Sequence, residues 1–323
     1  MPHRTPLLRA VLGALVLALT CMTALAKDIR SLDDKWWPSK WGADDELGSF
    51  NLLSPELTLK AAKLIKTGKT YRLGIETNRG TPAFPPRTFQ VQILMPNQAP
   101  GQAYGDNKFN YADDIIAGWM GVGTQIDGLG HAAIDHIYYN GWHSKDFVDA
   151  AGLTKFGVEQ YPGVVAPGLM LDMASCMGKQ ILPAGTPINS ADIKACEEKQ
   201  GTPVEEGDVV ILHTGWMNLL DGDPEQFGKS EPGLGVDGAI YLASKNVVAV
   251  GADTWGLEVL PFEKPNIKFR VHQILITENG VYILENIDTR ELAKDKAYRF
   301  MFTLGAARMS GAVQMIINPI AIR

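Results

Sequence analysis

Three cysteines in 323 residues are too few for a scaffold held by disulfides, and none forms a CxxC pair. That spacing speaks against a thioredoxin-like redox motif and against a zinc site built on thiolate pairs. No GxSxG occurs, so the serine nucleophile elbow is missing. Basic residues do not dominate: 30 Lys and Arg stand against 36 Asp and Glu, a net charge of −6. Phosphate neutralisation wants the opposite balance, which argues against nucleic acid as a partner. There are no internal repeats, no low-complexity tracts and no long linker. The longest apolar run is too short to span a bilayer comfortably.

What is present is an ordinary globular composition, 46% hydrophobic and 20% charged, with enough apolar material for a sizeable core. Arg4 and Arg9 precede an apolar stretch, Ala10 to Thr20, which ends near Ala24-Leu25-Ala26. A positive start, a short apolar core and a small-x-small close predict a signal peptide over residues 1–26 and a periplasmic or secreted mature chain. Loss of Arg4 and Arg9 leaves 28 basic residues against 36 acidic and no membrane attachment. Cys176 and Cys196 remain, as a disulfide or as two buried thiols; spacing alone leaves both open.

Residues 27–53 are aromatic and acidic and read as an N-terminal arm packing on the core of a domain spanning 27–323. Ser54-Pro55-Glu56 opens a helix to about Thr67, with Leu57, Ala61, Leu64 and Ile65 as its buried stripe. A second helix runs from Ser190 to about Gln200. Thr88 to Met95 alternates apolar and polar residues, the pattern of a half-buried strand. Further strands are expected at Val209–His213, Val247–Gly251, Val281–Ile287, Tyr298–Leu304 and Ala312–Ile317. Helices and strands mix without a boundary, which predicts a single α/β domain with a mixed sheet and flanking helices.

The stretch GVGTQIDGLGH, Gly121 to His131, combines four glycines with an amide, a carboxylate and an imidazole. In an extended chain, Gln125 and Asp127 lie about 6.6 Å apart on one side. Gly128 and Gly130 then permit a turn that returns His131 toward the same point. The spacing alone equally allows a glycine-rich turn with a capping aspartate and a satisfied histidine.

GTQIDGLGH resembles the metal-dependent cyclase family of hydrolases, which includes kynurenine formamidase and isatin hydrolase. Against the family pattern HxGTHxDxPxH, Gly123, Thr124, Asp127 and His131 match. Gly121 and Gln125 stand in place of two histidines, and Leu129 in place of proline. The likeness continues through GDVVILHTGW (207–216), VGADTWGLE (250–258) and VHQILITENGVYILENI (271–287), in the family's order.

The resemblance implies a fold of swivelling β/β/α type and one divalent ion, Zn²⁺ or Mn²⁺, held by Gln125, Asp127 and His272. It implies His131 as the base and Glu285 as either a further ligand or the alternative base. The activity implied is hydrolysis of a cyclic or aryl-linked amide, imide or lactone, with Trp142, Trp216 and Trp255 walling the substrate pocket. A homo-oligomer is implied as well. The two missing histidines raise a rival, a secreted metal-containing protein that binds a small molecule without turning it over. Between His272 and Glu285 the resemblance implies a helix closed by Asn279-Gly280. The Asn-Gly pair by itself equally reads as a β-hairpin turn that would set the two residues diagonally opposite. His213, at the end of an apolar strand, reads as a core histidine. His136 and His143, among aromatics, read as pocket lining. Asp253 and Glu258 read as loop-fixing acids.

Overall fold

A computed structural model describes residues 35–94 and 103–323. The expected signal segment 1–26 and the first part of the arm lie outside the described residues. A nine-stranded mixed sheet organises the chain. In chain order its strands are β1 Thr70–Arg72, β2 Gln125–Asp127, β3 Val164–Asp172, β4 Val209–His213, β5 Ala249–Ala252, β6 Tyr282–Glu285, β7 Arg299–Leu304, β8 Gln314–Ile316 and β9 Ile320–Ile322. Across the sheet the order is β1-β9-β7-β3-β4-β5-β6-β2-β8. Strands β3 to β6 run parallel to one another, and the other pairings are antiparallel.

The central segments VVILH, AVGA and YILE are buried along their whole length. Parallel strands need crossover connections that cover both faces, so these strands have no polar side. Among the described residues, three helices of at least eight residues flank the sheet: α1 Pro55–Ala62, α2 Ser190–Gln200 and α3 Val236–Ser244. Helix α2 matches its expected span. The Asn189 N–H donates to Asp192 Oδ2 at 3.0 Å, as in one half of a capping box, and Gly201 ends the helix at φ 66°. Helix α1 starts as expected, with Ser54 accepting from the Leu57 N–H, but stops at Ala62 rather than near Thr67. The Thr67 and Gly68 N–H groups instead donate to the Arg323 carbonyl, which draws the chain off the helix to the sheet edge.

One strand expectation changes. Phe89–Leu94 pairs with Asp113–Gly118 in a two-stranded ribbon, and no third described strand joins it. Ile93, Ile115 and Ile116 are exposed, so the strand is not half-buried. Of the two readings left open at Asn279-Gly280, the helix forms and the hairpin does not. Both edges of β6 are taken, by β5 and by β2, so the segment before Asn279 has no edge to pair with. One α-helical turn, Arg270–His272, passes instead into a π-helix, Gln273–Glu278. Phe269, at φ 51°, starts that helix from the left-handed region, which costs a non-glycine residue about 1 kcal/mol.

Cys176 and Cys196 are joined by a disulfide, S–S 2.03 Å. It ties the short helix after β3, Met173–Cys176, to α2. The bridge closes a sequence separation of 20 residues. A loop of that size constrains the unfolded chain by about 3 kcal/mol. The Cys176→Ser/Cys196→Ser double variant is therefore expected to lose about that much stability in urea unfolding. An unchanged midpoint would mean that the bridge contributes nothing.

Candidate metal centre

Strand β2 carries Gln125 and Asp127 two residues apart, so both side chains leave on one face. Register sets Glu285 opposite Gln125 and Gln314 opposite Asp127. Directly opposed residues of antiparallel strands share a face, and the four polar groups therefore meet. Gln125 Nε2 donates to Asp127 Oδ1 at 3.1 Å and to Glu285 Oε2 at 2.8 Å. Gln314 Nε2 donates to the same Asp127 Oδ1 at 2.6 Å. Asp127 Oδ2 is buried and has no hydrogen-bond partner.

The glycines act as the motif suggests. Gly123 adopts φ 75° as the chain enters β2. A Cβ on Gly128 would overlap the Tyr161 hydroxyl, so only glycine lets the chain pass. The His131 N–H closes the turn on the Gly128 carbonyl at 3.0 Å. Its Nε2 then lies 3.7 Å from Asp127 Oδ2. His272 comes from the start of the helix after Phe269. Its Nε2 is 4.0 Å from Asp127 Oδ2 and 3.4 Å from Glu285 Oε1. Its Nδ1 is 3.2 Å from Glu258 Oε2, which also accepts the Val271 N–H at 3.1 Å.

Asp127, His131 and His272 each offer one atom, all within 4.8 Å of one another. Two ligands held about 2.1 Å from one ion lie no more than about 4.2 Å apart, close to the spacings here. The unpartnered Asp127 Oδ2 and two imidazoles suit a borderline divalent cation. Glu258 fixes His272 with Nδ1 facing the acid, which leaves Nε2 for a ligand. These residues therefore fit a metal ion.

The sequence assigned Gln125 as a ligand through its oxygen. In the structure its nitrogen faces two carboxylates, and it joins them as a donor. His131, expected as the base, stands in the ligand cluster, while Glu285 stands beside it against His272. Trp142, Trp216 and Trp255 do not line the adjoining cavity. Trp216 is buried with Nε1 on the Phe227 carbonyl, and Trp255 packs behind Phe84, ring centroids 3.9 Å apart. Trp142 packs against the main core and carries Lys155 over its ring. The cavity, about 550 Å³, opens onto His131, His272 and Glu285 and is walled by Phe84, Arg87, Trp119 and Phe269. His136 and His143 are not among its walls; their rings stack on each other. His213 is a buried histidine bonded to Thr289 at 2.7 Å. Asp253 fixes the Thr214-Gly215 turn through three bonds. Arg87, Gln314 and the Glu258–His272 contact carry no local sequence signal, because each joins the site across the fold.

Burial holds His131 below the ordinary histidine range, with Asp127 opposing and His272 and Arg87 reinforcing, so it is neutral near pH 7 and free to ligate. Burial also acts to lower His272, but its bonds to Glu258 and Glu285 outweigh that and push it up to about 10. Burial, then the Asp127 charge, push Glu285 up to about 7 against the pull of His272 and Arg87. The ion-free site thus holds protons at pH 7 that a cation must displace. A cation competes with those protons, so metal affinity is expected to rise from pH 6 toward pH 10, with proton release on binding. Calorimetry in two buffers of different ionisation enthalpy checks this; a pH-independent affinity would contradict it.

The "Putative cyclase" family matches residues 40–259. A crystal structure described as a novel cyclase is 32% identical, with a TM-score of 0.80 over 88% of this chain and 98% of that one. Isatin hydrolase A from Ralstonia solanacearum is 15% identical, with a TM-score of 0.60 over 79% and 92% of the two chains. An isatin hydrolase bound to the product analogue thioisatinate is 18% identical, with a TM-score of 0.56 over 83% and 98%. At those identities the two hydrolases share the fold with this chain. No curated protein gives a significant match. Mixed-sheet topology, the Asp127–His131–His272 cluster and a match over most of the length together make this chain a member of the cyclase family.

Proposed function

We propose that the chain is a metal-dependent hydrolase that opens a cyclic or aryl-linked amide, imide or lactone, using one Zn²⁺ or Mn²⁺ ion. The buried Asp127 Oδ2, with no partner and two imidazole nitrogens within 4.0 Å, carries this reading. Asp127, His131 and His272 would hold the ion. When bound, it supplies Lewis acidity for a carbonyl and for water. Glu285, open to the cavity and with Oε1 3.4 Å from His272 Nε2, is placed to take a proton and return it to the leaving nitrogen or oxygen. Gln125 holds Glu285 and Asp127 in register. Phe84 and Trp119 offer apolar walls to a ring.

The test is metal analysis of the purified full chain, followed by assay of cyclic amides, imides and aryl lactones before and after chelation. Turnover that disappears with chelator and returns with Zn²⁺ or Mn²⁺ supports the reading. A metal-loaded chain that returns every such compound intact overturns it and leaves a binding protein.

Two further proposals accompany it. Cleavage after Ala26 into an oxidising compartment is supported by the disulfide, which cytosolic thiol pools would reduce. Intact mass of the exported protein should begin at Lys27. A homo-oligomer is supported by the exposed ribbon, since an isolated two-stranded hairpin is marginal in water. Sedimentation should give at least a dimer.

A further inference from the structure

Arg87 is a half-buried cation in the wall of the metal-site cavity. Its described hydrogen bond runs from Nη1 to the Gly121 carbonyl at 3.0 Å. Among the described residues, no carboxylate lies within 4.0 Å of it. A guanidinium has five N–H donors, so most of this one's are left for something else. The space is made for it: a Cβ at Gly121 would lie 2.5 Å from Arg87 Nη1 and 2.9 Å from Gln314 Oε1. Phe84 lies beneath the guanidinium, 5.8 Å from ring centroid to Cζ, and Trp119 and Phe269 share the same cavity. Lys268 adds a second cation at the cavity; it rests over the Phe262 ring and has no acidic partner among the described residues.

We propose that Arg87 is the docking residue for a carboxylate, and that the substrate is therefore an aromatic compound carrying a carboxylate beside the bond to be opened. The inference rests on the hydrolase reading and narrows its substrate class. A planar guanidinium pairs with a carboxylate through two parallel hydrogen bonds, which neither a neutral ring nor a lone ammonium matches. Flanking aromatic faces orient the ring that bears the carboxylate.

The test compares benzoate with its neutral counterpart benzamide, by calorimetry on the metal-loaded full chain. Wild type should bind benzoate about tenfold more tightly or better. Arg87→Gln keeps a donor for the Gly121 carbonyl but loses the charge. It should lose that preference, with benzamide affinity and metal content unchanged. Arg87→Lys should keep part of it. Equal binding of the two probes by wild type, binding of neither, or an undiminished preference in Arg87→Gln would overturn the proposal. The readout is binding, so it separates the two readings. A chain that captures benzoate through Arg87 yet hydrolyses no cyclic amide or lactone would sink the hydrolase and leave this site standing.

Discussion

Asp127→Asn is expected to remove the ion and to lower turnover by at least about 10³-fold, roughly 4 kcal/mol of barrier. The reasoning starts from the two oxygens. Oδ1 already takes the amides of Gln125 and Gln314. An asparagine oxygen placed there keeps both bonds. Its nitrogen then falls where Oδ2 is, facing His131 and His272 with N–H groups instead of a lone pair. A cation loses its only charged ligand in the cluster. In the metal-free protein two effects oppose each other: the repulsion between Asp127 and Glu285 is relieved, and the acid 4.0 Å from the protonated His272 imidazole is lost. Metal-free Asp127→Asn is thus expected to melt close to the metal-free wild type, while metal analysis finds it empty. Retained metal and retained turnover would remove Asp127 from the site; a large fall in the metal-free melting temperature would make its role structural.

That asymmetry between neighbours explains how much of the site is legible in one dimension. Gln125 and Asp127 sharing a face follows from strand periodicity, and the return of His131 follows from glycines that tolerate the turn. Those are short-range facts. The central strands and α2 are equally local, being set by apolar runs and by the Asn189–Asp192 bond at the helix start. Gln314 and Arg87 are not local. They reach Asp127 and Gly121 through β8 and through the chain before the exposed ribbon, and nothing in their flanking residues marks them. The tryptophans mislead for the opposite reason: they lie near recognisable motifs, yet a large buried ring serves the core as readily as a pocket. Trp255 lies one layer behind Phe84, which takes the wall position instead. The apolar segment after His272 suits a helix or a strand, and the pairing of both edges of β6, with β5 and with β2, decides between them.

Glu258 is where that non-local logic has its largest measurable consequence. It reads in the sequence as an acid fixing a loop, and it does accept the Val271 N–H. Its same oxygen holds His272 Nδ1, so it sets both the position and the basicity of a ligand it does not accompany to the ion. Leu257, at φ 55°, holds the backbone in the left-handed region just before it, a cost sustained only where surrounding contacts impose it. Glu258→Gln keeps an acceptor of the same size but removes the charge behind the imidazole. Metal affinity is expected to fall about 10- to 100-fold, the usual effect of losing such an outer partner. At saturating metal, kcat should return to within a few-fold of wild type, because Glu258 touches neither the cavity nor the ion. Glu258→Ala should behave worse on both counts. It leaves the Val271 N–H and an imidazole nitrogen unpaired in the interior, at about 1–3 kcal/mol each. A Glu258→Gln protein with unchanged metal affinity would show that orientation of His272 is set elsewhere. One whose kcat stays low under saturating metal would move Glu258 from the support of the site into its chemistry.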